Sequence, residues 1–255
     1  MMRITETVKH LIIINVIFWI ATLALAERNI DLVSLFALYF PENPTFKFWQ
    51  PVSSMFMHSV SSPMHILFNM IGLWMFGSAL EMRWGKVKFL CFYMITGVGA
   101  ALVHTLVNYY GLYSNMNILV EAGFSQTEIL DLLKEGMYNP NWKNVLTDAQ
   151  FNTMVESFLV PALGASGALY GVLVAFGMLY PNMELMMLFI PIPIKAKYFI
   201  PGLLVYDFIS GIAGSTGLFG GGNIAHFAHL GGALFGFLLM WYWNKTQFNQ
   251  NRWDR

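Results

Sequence analysis

The sequence predicts an all-α polytopic membrane protein. One domain over 1–255 would form a six-transmembrane-helix bundle, with an interfacial first loop and a helical extramembrane insert at 108–160. Three observations predict it. The chain is 56% hydrophobic and only 11% charged, with a mean hydropathy of +0.55, where a soluble domain carries roughly 25% charged residues. The apolar residues gather into runs near the ~20 residues that cross a ~30 Å hydrocarbon layer. The basic residues segregate once those runs are threaded back and forth. With both termini in the cytoplasm, that side holds Arg3, Lys9, Arg83, Lys86, Lys88, Lys195, Lys197, Lys245, Arg252 and Arg255, against Arg28, Lys47, Lys134 and Lys143 outside. Ten against four is the bias that orients membrane proteins.

The same totals exclude other classes. Net charge is zero and no basic block exists, so nucleic acid is not an expected partner. Cys91 is the single cysteine, which excludes an intramolecular disulfide and a cysteine-based zinc cluster. It reads as packing.

The first apolar run, Leu11 to Ala26, reads as a retained span, although Ala24-Leu25-Ala26 resembles a small-residue cleavage site. Residues 27–62 mix charges with Phe36, Tyr39, Phe46, Phe48 and Trp49, and carry turn signals at Pro41 and Pro44. They read as a loop dipping into the interface. The second span covers Pro63 to about Leu80, Glu81 to Lys88 makes a charged turn, and the third covers Phe89 to about Val107. In the insert, Ile129, Leu130, Leu132 and Leu133 fall at helical spacing and predict one or two amphipathic surface helices. Ala162 to Tyr180 is the fourth span. Met183 to Lys197, with Pro191 and Pro193, reads as an interfacial connector; Tyr198 to Ala213 is a short fifth span containing Asp207. A Gly-rich loop over Gly214–Gly222 and a sixth span from Asn223 to Trp243 complete the chain.

Threaded this way, the second, fourth and sixth spans all begin on the outer side. His65 and Asn69 then share a depth with Ser166, His226 and His229. Polar groups inside a membrane are costly and mark functional interiors. Gly232 and Gly236 share the helical face of His229, and Gly167 and Gly171 stand beside Ser166, so two helices meeting through them would bring hydroxyl and imidazole together. A serine beside a neutral histidine suits nucleophilic acyl transfer. His65, Asn69 and the Ser166 N–H would serve as oxyanion donors, and Tyr170 would pack on the imidazole. No acidic third member is expected at the depth of His229, so the expectation is a two-residue device. The bland alternative is that Ser166 and its glycines are helix glue.

Gly164-Ala165-Ser166-Gly167, His65-xxx-Asn69 and Ala228-His229-Leu230-Gly231-Gly232-xxx-Gly236 resemble the signature elements of the rhomboid intramembrane serine proteases. Glu81 to Gly85 is also family-like. The resemblance implies Ser166 as nucleophile, supported by Gly164 and Gly167, and His229 as general base and acid. It implies His65 and Asn69 at the oxyanion and Tyr170 stacked on the histidine. It further implies cleavage of transmembrane protein substrates near the outer face, in a bacterial plasma membrane, with no cofactor and no metal. The fifth helix and the Gly214–Gly222 cap would gate access. Two departures stand out: a Trp-Arg pair common in the first loop is Trp49-Gln50, and the insert is longer than in compact members.

His58 and His226 read as polar lining of a wet mouth, His10 and His104 as interfacial, and Asp207 has no assigned partner. Two rival functions are a transition-metal transporter using His58, His65, His226 and His229, and a proteolytically inactive relative that binds membrane proteins. Transport surviving Ser166→Ala would favour the first. The second differs from a protease by its failure to react with a serine-directed probe.

Overall fold

The computed structural model describes residues 3–187, 190–213 and 223–250. α1 (Glu6–Ala26) is the first predicted span. Its N-cap, Thr5, makes no capping bond to the helix. The cap comes from elsewhere: Glu81 accepts from the backbone N–H of Thr7 and Val8, both at 3.0 Å, and from the Thr5 hydroxyl at 2.5 Å. A carboxylate at a helix start satisfies orphan donors and opposes the macrodipole. This is the physical use of the Glu81 turn.

The first loop folds into two short helices, α2 (Leu32–Phe36) and α3 (Gln50–Ser53), followed by a 3-10 turn at Ser54–Phe56. Gln50, which departs from the family pattern, is fully buried and anchors the loop. Its Nε2 donates to the carbonyls of Thr45 and Ser34, and its Oε1 accepts from the Tyr39 N–H.

The second span is helical throughout Pro63–Trp84: α4 (Pro63–Gly72), a π-helical stretch at Leu73–Gly77 and α5 (Ser78–Trp84). Gly85, at φ +79°, turns the chain into α6 (Lys86–Glu121), a conformation that glycine adopts without penalty. α6 does not stop near Val107. Its 36 residues continue into the insert, so position 108 is no boundary.

Beyond it lie α7 (Gln126–Lys134), a 3-10 turn at Pro140–Asn144 and α8 (Asp148–Leu159), the last closed by a Thr147–Gln150 capping box. Leu112, Met116 and Leu119 of α6 meet Ile129, Leu133, Trp142, Phe151, Met154 and Phe158 there, together with Phe40 of the first loop. The predicted amphipathic helices thus form a second hydrophobic cluster.

α9 (Ser166–Leu179) falls within the predicted fourth span, is 14 residues long and is buried from Gly167 to Phe176. The connector after it is an antiparallel hairpin, β1 (Glu184–Met187) and β2 (Ile190–Lys195), with Glu184 opposite Lys195. The fold is therefore mostly helical rather than all-α. The alternation Ile190-Pro-Ile-Pro-Ile194 has a period of two, and an edge strand tolerates proline's missing donor.

α10 (Ala196–Ala213) and α11 (Asn223–Gln250) close the bundle, with α11 packed on α6, α9 and α10. Among the described residues, three helices are long and apolar enough to cross a membrane: Glu6–Ala26, Pro63–Trp84 and Lys86–Glu121. The predicted cap at Gly214–Gly222 lies outside the described residues.

Candidate active site

The site begins with a close crossing. A Cβ on Gly232 would stand 1.8 Å from the Gly167 carbonyl oxygen, and one on Gly236 would stand 2.6 Å from the Gly171 Cα. Only hydrogens fit, so α9 and α11 meet backbone to backbone. Ser166 opens α9 just above the first crossing, and His229 precedes Gly232 on α11.

The consequence is direct contact. His229 Nε2 lies 2.8 Å from Ser166 Oγ. Tyr170, one turn along α9, stacks on the imidazole with ring centroids 4.2 Å apart and planes within 11°. Gly164, at φ +129°, bends the chain into α9, and its N–H donates to the Ser54 carbonyl at 3.0 Å. Just upstream, Leu38 and Ala162 exchange two backbone hydrogen bonds of 2.8 and 2.9 Å. The segment before the serine is thereby tied to the first loop.

Ser166 and His229 line a cavity of about 1020 Å³ together with His65, Asn69, Gly164, Gly167 and Tyr170. These seven residues, singled out in the sequence, share one hollow. His65 packs against the Gly164 backbone, where a Cβ would lie 3.0 Å from its Nε2. Asn69 lies one turn further along α4 and lines the same cavity. Its Nδ2 donates to the His65 carbonyl one turn back at 2.9 Å, and its Oδ1 is buried without a partner. That bond uses one of the two N–H groups of Nδ2, which leaves the second to donate into the cavity that Asn69 lines.

Four expectations are corrected. An acidic residue does stand by His229: Asp207 of α10 places Oδ1 2.5 Å from His226 Nδ1 and 3.4 Å from His229 Nδ1. His226 and His58 do not line the mouth. Both are buried, His226 on Asp207 and His58 behind His65, with ring centroids 5.1 Å apart. His104 is buried rather than interfacial, with Nε2 3.1 Å from Asn108 Nδ2. Cys91, expected to be packing, is exposed. His10 is exposed as well.

Asp207, His226 and His229 bring ligand-type atoms within 4.8 Å of one another. Ligands around one zinc at about 2.0–2.1 Å stand roughly 3.3 Å apart. The 2.5 Å contact between Asp207 and His226 is instead that of a hydrogen-bonded pair.

Fold and site together define an integral membrane protein whose helices enclose a serine hydrogen-bonded to a histidine. The chain belongs to the rhomboid family: the family's rhomboid domain matches residues 45–246. It is 27% identical over 230 residues to an uncharacterized mitochondrial rhomboid protein of Schizosaccharomyces pombe, covering 83% of this chain and 54% of the relative. It is 25% identical over 190 residues to the mitochondrial rhomboid protein 1 of Saccharomyces cerevisiae, covering 74% and 40%. It is 32% identical over 98 residues to the rhomboid protease AarA of Providencia stuartii, covering 38% and 34%. The chain spans about half or less of the length of these relatives. Two of the three are mitochondrial, so they do not support the expected bacterial plasma membrane.

Proposed function

We propose that this protein is an intramembrane serine endopeptidase acting on transmembrane protein substrates. The observation that carries the reading is the 2.8 Å contact between Ser166 Oγ and His229 Nε2 inside the cavity. In this reading Ser166 Oγ attacks the scissile carbonyl while its proton passes to His229 Nε2. His65, the Ser166 N–H and the second N–H of the Asn69 amide hold the oxyanion. The imidazolium protonates the leaving amine, and a water then repeats the sequence to free the acyl-enzyme. Tyr170 keeps the ring in plane. No step calls on a metal or cofactor.

The whole of 1–255 acts as one membrane domain in this proposal, with 108–160 as an insert on the outer side. Both termini are then cytoplasmic, as the ten-to-four split of basic residues favours. The cleavage site lies near the outer face, where Ser166 begins its helix.

The test is fluorophosphonate labelling paired with cleavage of a model transmembrane substrate. Wild-type protein is expected to label, and Ser166→Ala to neither label nor cleave while remaining folded. His229→Ala should lose nearly as much as both changes together, because the two groups act as a unit. Asn69→Ala should slow turnover by about 10²-fold to 10³-fold, the usual worth of one oxyanion donor. Normal turnover by Ser166→Ala would end the proposal.

A further inference from the structure

The serine and histidine do not stand alone in the bundle. α10 turns Val205, Phe208, Ile209 and Ile212 outward, each more than half exposed, and buries Asp207 on its inner face. Asp207 Oδ1 faces both His226 Nδ1 and His229 Nδ1, and its Oδ2 has no hydrogen-bond partner. A carboxylate in an apolar span is costly and persists where a function holds it.

We propose that Asp207 is a positioning residue for the reaction proposed above, on which this inference rests. It fixes His229 in the tautomer that carries its proton on Nδ1 and turns the Nε2 lone pair toward Ser166. It also supplies compensating charge when the Ser166 proton reaches Nε2. The carboxylate stays ionised and takes no proton itself. His226 ties the carboxylate to the helix that carries His229, so acid and base are held by one element.

The geometry supports each part. The two nitrogens of His229 face different partners, a hydroxyl at 2.8 Å and a carboxylate at 3.4 Å, and the partner of one nitrogen sets the role of the other. The longer contact is typical of a site awaiting substrate, where such bonds tighten as charge develops. Tyr170, stacked within 11°, restricts tilt and leaves the ring free to slide in its own plane toward Asp207.

The competing account is structural: the Asp207–His226 bond merely joins α10 to α11. Asp207→Asn separates the two. Both imidazoles face the one oxygen Oδ1. An asparagine oxygen at that place keeps the bond to His226 but brings no charge to offset the His229 imidazolium, and an NH2 there would drive His229 to the wrong tautomer. In the full chain, Asp207→Asn is expected to lower kcat and the labelling rate of Ser166 by about ten-fold to 10³-fold, below the ~10⁴ that this change costs in a water-soluble triad. KM and melting temperature should stay near wild type, and Asp207→Glu should recover part of the rate. Wild-type kcat in Asp207→Asn would overturn the inference. If Asp207→Asn does not fold, Asp207→Glu decides: a depressed kcat at unchanged KM supports the role, and an unchanged kcat overturns it. A wild-type protein that never labels at Ser166 would instead remove the protease reading itself.

Discussion

α1 and α9 are both strongly apolar, yet they live in opposite surroundings. In α1 only 22% of the spanning window is buried, and Ile13, Ile17, Ile20 and Leu23 face outward. In α9 every residue from Gly167 to Phe176 is buried. The difference lies in side-chain size. α1 carries bulky isoleucine and leucine, while α9 opens Ser-Gly-Ala and returns to glycine at Gly171. Hydropathy reports that a helix belongs in lipid. Small residues report that another helix must touch it, because lipid tails solvate large side chains as well as a neighbour would.

Substitutions along this contrast rank by how much backbone they displace. Gly232→Leu has the largest expected effect. Even a Cβ would overlap the Gly167 carbonyl, so α9 and α11 must separate, at more than the ~1–3 kcal/mol typical of overpacking. Loss of both folded protein and Ser166 labelling is expected; a wild-type melting profile would break the comparison. Trp142→Ala comes next, at about 3–5 kcal/mol for a large buried ring. Hydrogen exchange across 126–159 should quicken, while Ser166 labelling stays within about a factor of two, as for distant sites. Glu81→Gln weakens the cap on α1 by about 1 kcal/mol, read as fraying near Thr7 and Val8. Ile17→Ala, at a side chain 58% exposed, should change stability by no more than about 0.5 kcal/mol. A large loss there would mean that α1 has a protein neighbour.

Much of the site was legible because its residues sit at glycine crossings. The i+3 and i+7 spacing of Gly232 and Gly236 picked out His229 over His226, and the structure brings His229 to Ser166. Asp207 was missed although its depth was countable. It lies six residues before the end of α10 at Ala213, and His229 lies six residues after the start of α11 at Asn223. At 1.5 Å per residue both stand about 9 Å from their shared end. Sequence could not say which face of α10 turns inward. The hairpin was hidden by Pro191 and Pro193, which weaken a strand signal, and the length of α6 by polar residues such as Asn108 and Asn115. Those two are buried in the structure, and their amides bond to His104 and to the Gly111 carbonyl. The bond from Asn69 was likewise invisible, because it runs to the His65 carbonyl one turn back in the same helix.

One helix serves both the glycine crossing and the outlying hydrophobic cluster. At 1.5 Å per residue, α6 is about 54 Å long, against a hydrocarbon layer of ~30 Å. The rod that presses Thr96 and Ala100 against Gly171 and Gly167 is also the post on which Leu112, Met116 and Leu119 gather the outlying helices. It has no joint between the two stations. An unbroken hydrogen-bonded spiral therefore sets the spacing between the outlying helices and the glycine crossing beneath the serine.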